Sequence, residues 1–171
     1  MYNHNGNGGS IPVTTWNTAS TCNVTGITST NPTSASFTQN FGNFIWNNTG
    51  QTNPLVFNSS SFGTKGTFTI TSTNSTYVAM ASGLSNTYTN SFAAITVNNN
   101  SKLYLNVTTS SITPVENITI TGNLSINGTS IVDVANGSSS AATLNQVTKI
   151  TIGGNLQAVT GASFTNSNSN N

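Results

Sequence analysis

Charge is what this chain most lacks. Of 171 residues only five carry charged side chains, Lys65, Lys102, Lys149, Glu116 and Asp133, and there is no arginine. Nucleic-acid binding rests on lysine and arginine neutralising phosphates, and three scattered lysines make no basic stripe. A polybasic membrane-surface patch is excluded for the same reason. No apolar run approaches the roughly 20 residues needed to span a bilayer, so the chain reads as not membrane-embedded. Cysteine occurs once, at Cys22, which excludes an internal disulfide and reads as a small buried hydrophobe. The first residues, Met1 to Asn5, lack the charged and apolar regions of a signal peptide. Disorder usually couples low hydrophobicity with high net charge; here the net charge is +1 and apolar residues recur in order.

What is abundant is Asn, Ser and Thr, about half of the chain. Ten Asn-x-Ser/Thr sequons follow, about as many as chance gives at this composition, so they carry no signal for glycosylation. The informative signal is internal similarity. Ile118-Thr119-Ile120-Thr121-Gly122-Asn123-Leu124 and Ile150-Thr151-Ile152-Gly153-Gly154-Asn155-Leu156 agree at six of seven positions. Looser copies lie at Ile95-Thr96-Val97, Phe68-Thr69-Ile70 and Phe44-Ile45-Trp46. Each alternates apolar with polar, the period-2 pattern of a half-buried strand, in the β-branched residues that a pleated surface prefers. Second short strands are expected over 102–107, 130–134 and 77–80, with Gly, Asn and Ser clusters as turns.

Strands this short bury no face alone, but stacked one turn per repeat they build a continuous apolar column. The expected fold is therefore all-β, a right-handed parallel β-helix (β-solenoid) of about five to six coils; a β-sandwich is the alternative. The expected organisation is a flexible Gly/Asn-rich lead over 1–10, one solenoid domain over 11–164 and a Ser/Asn-rich tail over 165–171. Phe68, Ile70, Ile95, Val97, Ile118, Ile120, Ile150 and Ile152 should point inward. Thr69, Thr96, Thr119 and Thr151 should line up as one outward column.

Trp16 to Gly26, followed by Phe41-Gly42-Asn43-Phe44-Ile45-Trp46-Asn47-Asn48-Thr49-Gly50-Gln51-Thr52, resembles a segment of very large secreted proteins of Bacteroidota. The Ile-Thr-Ile-x-Gly-Asn-Leu copies are similar to coils of the same proteins. The resemblance implies a β-helical stalk or adhesin-like region, exported by the type IX route and displayed or released at the cell surface. It brings no catalytic residues with it.

Chemistry has little to stand on. Glycoside hydrolysis usually needs two carboxylates across one cleft, and the only pair is Glu116 and Asp133, about one coil apart, with Asp133 expected to face solvent. His4 sits in the Gly/Asn-rich lead without a second metal ligand nearby, and no histidine is placed to activate a hydroxyl. The expectation is no enzyme, no cofactor and no metal. Surface contact is the alternative use of the fold. Tyr77 and Tyr104 suit stacking on sugar rings, and an outward Thr face suits ice. Bare terminal coils expose strand edges that pair with another copy, so end-to-end self-association is also expected, at an extracellular or cell-surface location.

Overall fold

A computed structural model describes residues 1–82, 87–108, 115–137 and 147–167. Every strand pairing among them is parallel, which removes the β-sandwich and establishes the solenoid. Short alternating strands broken by Gly and Asn turns hydrogen-bond only to the turns above and below, and this sequence stacks them in three walls.

The first wall stacks Tyr2–His4, Thr21–Val24, Asn43–Asn47, the second halves of Gly63–Ser72 and Thr87–Val97, then Leu124–Ile126 and Leu156–Ala158. The second wall stacks Asn40–Phe41, the first halves of Gly63–Ser72 and Thr87–Val97, then Val115–Ile120 and Val147–Ile152. The third wall is a separate sheet of Leu55–Val56, Val78–Ser82, Lys102–Thr108, Ile131–Asp133 and Ser163–Thr165, with Asn136–Gly137 beside it.

Five stacked strands on the third wall make about four turns in which the opposite side is also strand. That is slightly fewer than the five to six expected. The shortfall lies at the N-terminal end, where the first wall continues but the facing side is loop and a 3₁₀ turn at Ser34–Phe37. The lead is not loose, as its composition suggested. Tyr2–His4 pairs with Thr21–Val24, and His4 is buried with its Nε2 2.7 Å from the Gly8 carbonyl. Glycine-rich sequence lowers the cost of tight turns, and here Gly8 and Gly9 supply the left-handed backbone that folds the lead back.

The turns lengthen steadily. On the first wall Tyr2 lies over Cys22, Cys22 over Phe44, Phe44 over Phe68, Phe68 over Ile95, Ile95 over Leu124 and Leu124 over Leu156. Successive turns therefore take 20, 22, 24, 27, 29 and 32 residues.

The corner between the second and first walls leaves no room for a side chain: a Cβ on Gly122 would lie 2.6 Å from the Ala93 carbonyl oxygen. Beside it, Asn123 Oδ1 accepts from Asn155 N of the next turn, and Asn43 Oδ1 likewise accepts from Thr67 N. At the corner leading to the third wall, Asn74, Asn99 and Asn100 hold left-handed backbone, a conformation Asn tolerates better than most residues. Asn98 receives the amide of Asn127 at 2.8 Å. The asparagine load is thus spent on corners and ladders between turns.

Phe68, Ile70, Ile95, Val97, Ile118 and Ile120 are buried in the core, and Ile150 and Ile152 pack against it from the less covered last turn. Phe37, Phe41, Phe44, Phe57, Phe62, Phe68 and Phe92 form a cluster of rings along the axis. Both tryptophans are buried and satisfied by glutamine: Trp16 Nε1 donates to Gln39 Oε1 at 2.7 Å, Trp46 Nε1 to Gln51 Oε1 at 2.9 Å. No helix among the described residues is long and apolar enough to cross a membrane.

Candidate functional surface

The four threonines expected in one column fall into two. Thr69 lies level with Thr96 on the first wall, and Thr96 is followed by Ser125, not Thr119. Thr119 lies level with Ser91 and Thr151 on the second wall. The cause is the glycine corner. In the Ile118 and Ile150 copies the apolar-Thr-apolar triplet precedes the corner at Gly122 or Gly154, whereas the Phe44, Phe68 and Ile95 triplets follow it. Similar local sequence therefore occupies two walls, and each hydroxyl column is short. The first-wall column runs Ile45, Thr69, Thr96, Ser125, Gln157; the second-wall column runs Gly63, Ser91, Thr119, Thr151. Neighbours within a column are one strand spacing apart, about 4.8 Å.

On the third wall the structure does bring two expected residues together. Val78, Leu103 and Val132 form one level of the inward face, so the adjacent level, Ala79, Tyr104 and Asp133, points outward. Tyr77 stacks on Tyr104, ring centroids 4.3 Å apart and planes within 26°. Both rings are half-buried. Burial raises both phenol pKa values, and Asp133 and Tyr77 add to the rise at Tyr104.

Asp133 was expected to be a solvent-facing carboxylate. It is on the outward register but is 3% exposed, because the chain folds over it. Its Oδ1 accepts from Ala135 N and Ser167 N at 3.2 and 3.1 Å, and its Oδ2 accepts from Asn136 Nδ2 at 3.3 Å and from the Ser167 hydroxyl. An acceptor-only carboxylate so engaged ties the C-terminal strand to the turn before it. The other carboxylate, Glu116, is in the core on the second wall, level with Tyr88 and Thr148, with Asn90 Nδ2 2.8 Å from its Oε1. The pair expected to be weighed for hydrolysis is therefore split: one points into the core, the other lies on the third wall under a hydrogen-bonded turn.

Among the lysines, Lys65 Nζ donates to the Trp16 carbonyl at 2.6 Å, strapping one turn to a loop nearer the N-terminus. Cys22 is wholly buried, and burial pushes its thiol up to about 12, in keeping with a packing role.

Sequence reasoning missed the glutamine partners of the tryptophans and the enclosure of Asp133. A Gln five residues after Trp46 was a usable signal; Gln39, 23 residues from Trp16, was not. The fold and this surface define a parallel β-solenoid whose outer walls are hydroxyl and amide. No family model matches the chain, and no curated protein or solved structure is significantly similar to it.

Proposed function

We propose that the chain is a non-enzymatic structural and adhesive module, a stiff, nearly uncharged solenoid that works outside the cell, self-associates end to end and contacts polysaccharide through its third wall. The observation that carries this reading is the disposal of the two carboxylates. Glu116 and Asp133 are both buried and held by neighbouring groups, which leaves the walls to present hydroxyls, amides and the stacked Tyr77–Tyr104 pair. Aromatic faces flanked by amides suit sugar rings, and a neutral surface holds its contacts as salt varies.

The last turn supports the association. Leu156 and Val159 are 46% and 37% exposed there. Exposed apolar side chains of this kind suit contact with a second copy. Sedimentation velocity over a concentration series, with negative-stain microscopy of the same samples, tests the assembly. Larger species with concentration and end-to-end rods are expected; a monomer at every concentration overturns that part. Glycan-array binding lost on Tyr104→Ala tests the contact surface. Turnover of a polysaccharide that is abolished by Glu116→Gln or Asp133→Asn would overturn the non-enzymatic reading.

The ice alternative calls for a broad rank of threonines. The division of Thr69 and Thr96 from Thr119 and Thr151 gives two narrow ones, which favours the polysaccharide reading over it.

A further inference from the structure

The inward face of the second wall begins polar and ends apolar. Tyr88, Glu116 and Thr148 form one level across three turns, and Asn90, Ile118 and Ile150 form the next. Glu116 is 0% exposed and Asn90 1%. Beyond the bond from Asn90 Nδ2 to Glu116 Oε1, four buried atoms here have no hydrogen-bond partner: Tyr88 OH, Asn90 Oδ1, Glu116 Oε2 and Thr148 Oγ1. Native interiors leave few such groups, and each calls for an explanation.

No cationic group among the described residues is placed to balance a negative charge at Glu116. There is no arginine. Lys65 is engaged at the Trp16 carbonyl. Lys149 follows Thr148 on the neighbouring strand, but its register partner is Asn117 and its side chain is exposed. Lys102, Tyr104 and Asp133 belong to the third wall, whose inward residues Val78, Leu103 and Val132 are apolar. Tyr88 is the one titratable group that shares the inward level of Glu116 among the described residues. The stretches 83–86, 109–114 and 138–146 contain no titratable side chain. An unpaired carboxylate in such surroundings keeps its proton, because desolvating the charge costs more than retaining the neutral acid.

We propose that the Tyr88–Asn90–Glu116–Thr148 cluster is a proton-dependent latch: the neutral Glu116 carboxyl holds the wide C-terminal turns together, and loss of its proton loosens them. Glu116 lies between Tyr88 of the turn before and Thr148 of the turn after, so a charge there strains both strand pairings at once. Burial raises its pKa to about 8, against a smaller opposing pull from the Asn90 hydrogen bond. The folded chain then keeps a proton that the unfolded chain has released. The stabilising contribution is complete below the ordinary carboxyl range and is lost as pH rises to about 8, above which it is level. The signal this latch would read is a rise in pH from the ordinary carboxyl range to about 8.

The test is thermal unfolding by circular dichroism from pH 5 to pH 9 at constant ionic strength, on wild type and Glu116→Gln, with and without calcium chloride. The wild-type midpoint should fall by roughly several degrees over that range. Glu116→Gln, which mimics the neutral acid, should flatten the profile and melt above wild type at pH 9. Parallel profiles overturn the proposal. So does a wild type rescued at pH 9 by calcium that leaves Glu116→Gln unmoved, since a cation and not a proton would then occupy the cluster. Should Glu116→Gln not fold, hydrogen exchange on wild type decides. Protection corrected for intrinsic rates should drop at pH 9 over 115–120 and 147–152 more than over 21–24 and 43–47; an equal drop at both sites overturns the latch.

Discussion

In the N-terminal half of the solenoid each turn takes 20 to 24 residues, while in the C-terminal half it takes 27 to 32. The narrow half is filled by rings. Phe37 comes from the 3₁₀ turn that stands where a third-wall strand would be, and it packs against Phe57 at 4.6 Å and Phe44 at 6.2 Å. Where a wall lacks regular strand, large side chains bridge the gap. Its buried glutamines are well used too, Gln51 holding Trp46, Asn53 and Tyr77 together. The wide half is walled by strand on all three sides and filled by Ile, Leu and Val, and it carries the unpartnered polar cluster around Glu116. One stacking rule thus supports two kinds of core. The lesson is that parallel pairing sets the rise per turn and leaves the content of each cross-section free to change.

The sharpest way to break this comparison is to remove a ring from the narrow half. Phe62 faces Phe37, Phe41, Phe44, Phe57, Phe68 and Phe92, all with centroids within 5.9 Å. Phe62→Ala should cost about 3–5 kcal/mol, measured by denaturant unfolding, and should raise the thiol reactivity of Cys22. Ile120→Ala in the wide half should cost about 2–5 kcal/mol with a smaller rise at Cys22, because solenoid stability is summed between neighbouring turns. Equal thiol exposure in both variants would mean that the halves open as one unit.

The corners come next. Gly122→Ala forces a Cβ against the Ala93 carbonyl and should destabilise by about 1–3 kcal/mol. Gly50→Ala, whose nearest neighbour would be Thr28 Cγ2 at 3.5 Å, should stay within about 0.5 kcal/mol. An effect smaller than that of Gly122→Ala, about 1 kcal/mol, is expected for Asn100→Gly, which keeps the left-handed backbone and removes the acceptor of Thr129 N and Thr129 Oγ1. The least perturbing measurement needs no substitution. Burial holds the Cys22 thiol at about 12, so at pH 8 a thiol reagent should label folded protein no faster than the narrow half opens. Labelling at the rate of a free thiol would contradict the burial.

Much of this was legible in the chain. Alternating Ile-Thr-Ile triplets and Gly-Asn punctuation are local, so the solenoid and the inward set from Phe68 to Ile152 could be read directly. The threonine columns could not, since Ile95-Thr96-Val97 and Ile118-Thr119-Ile120 look alike and differ only in which side of a corner they occupy. Nor could the first turn, where Tyr2-Asn3-His4 becomes a strand only because Thr21–Val24 offers it an edge. Tyr77 and Tyr104 were picked out singly by residue type; their stacking depends on being one turn apart on the third wall.

By itself the sequence determined the strand period, the corner residues and the near absence of charge, because each depends on neighbours a few residues away. Tertiary structure alone decided which triplets share a wall, how the turns widen from 20 to 32 residues, and that the chain's two carboxylates end up buried. Those outcomes depend on register between turns, and register is set by the packing of a whole cross-section against the one below it.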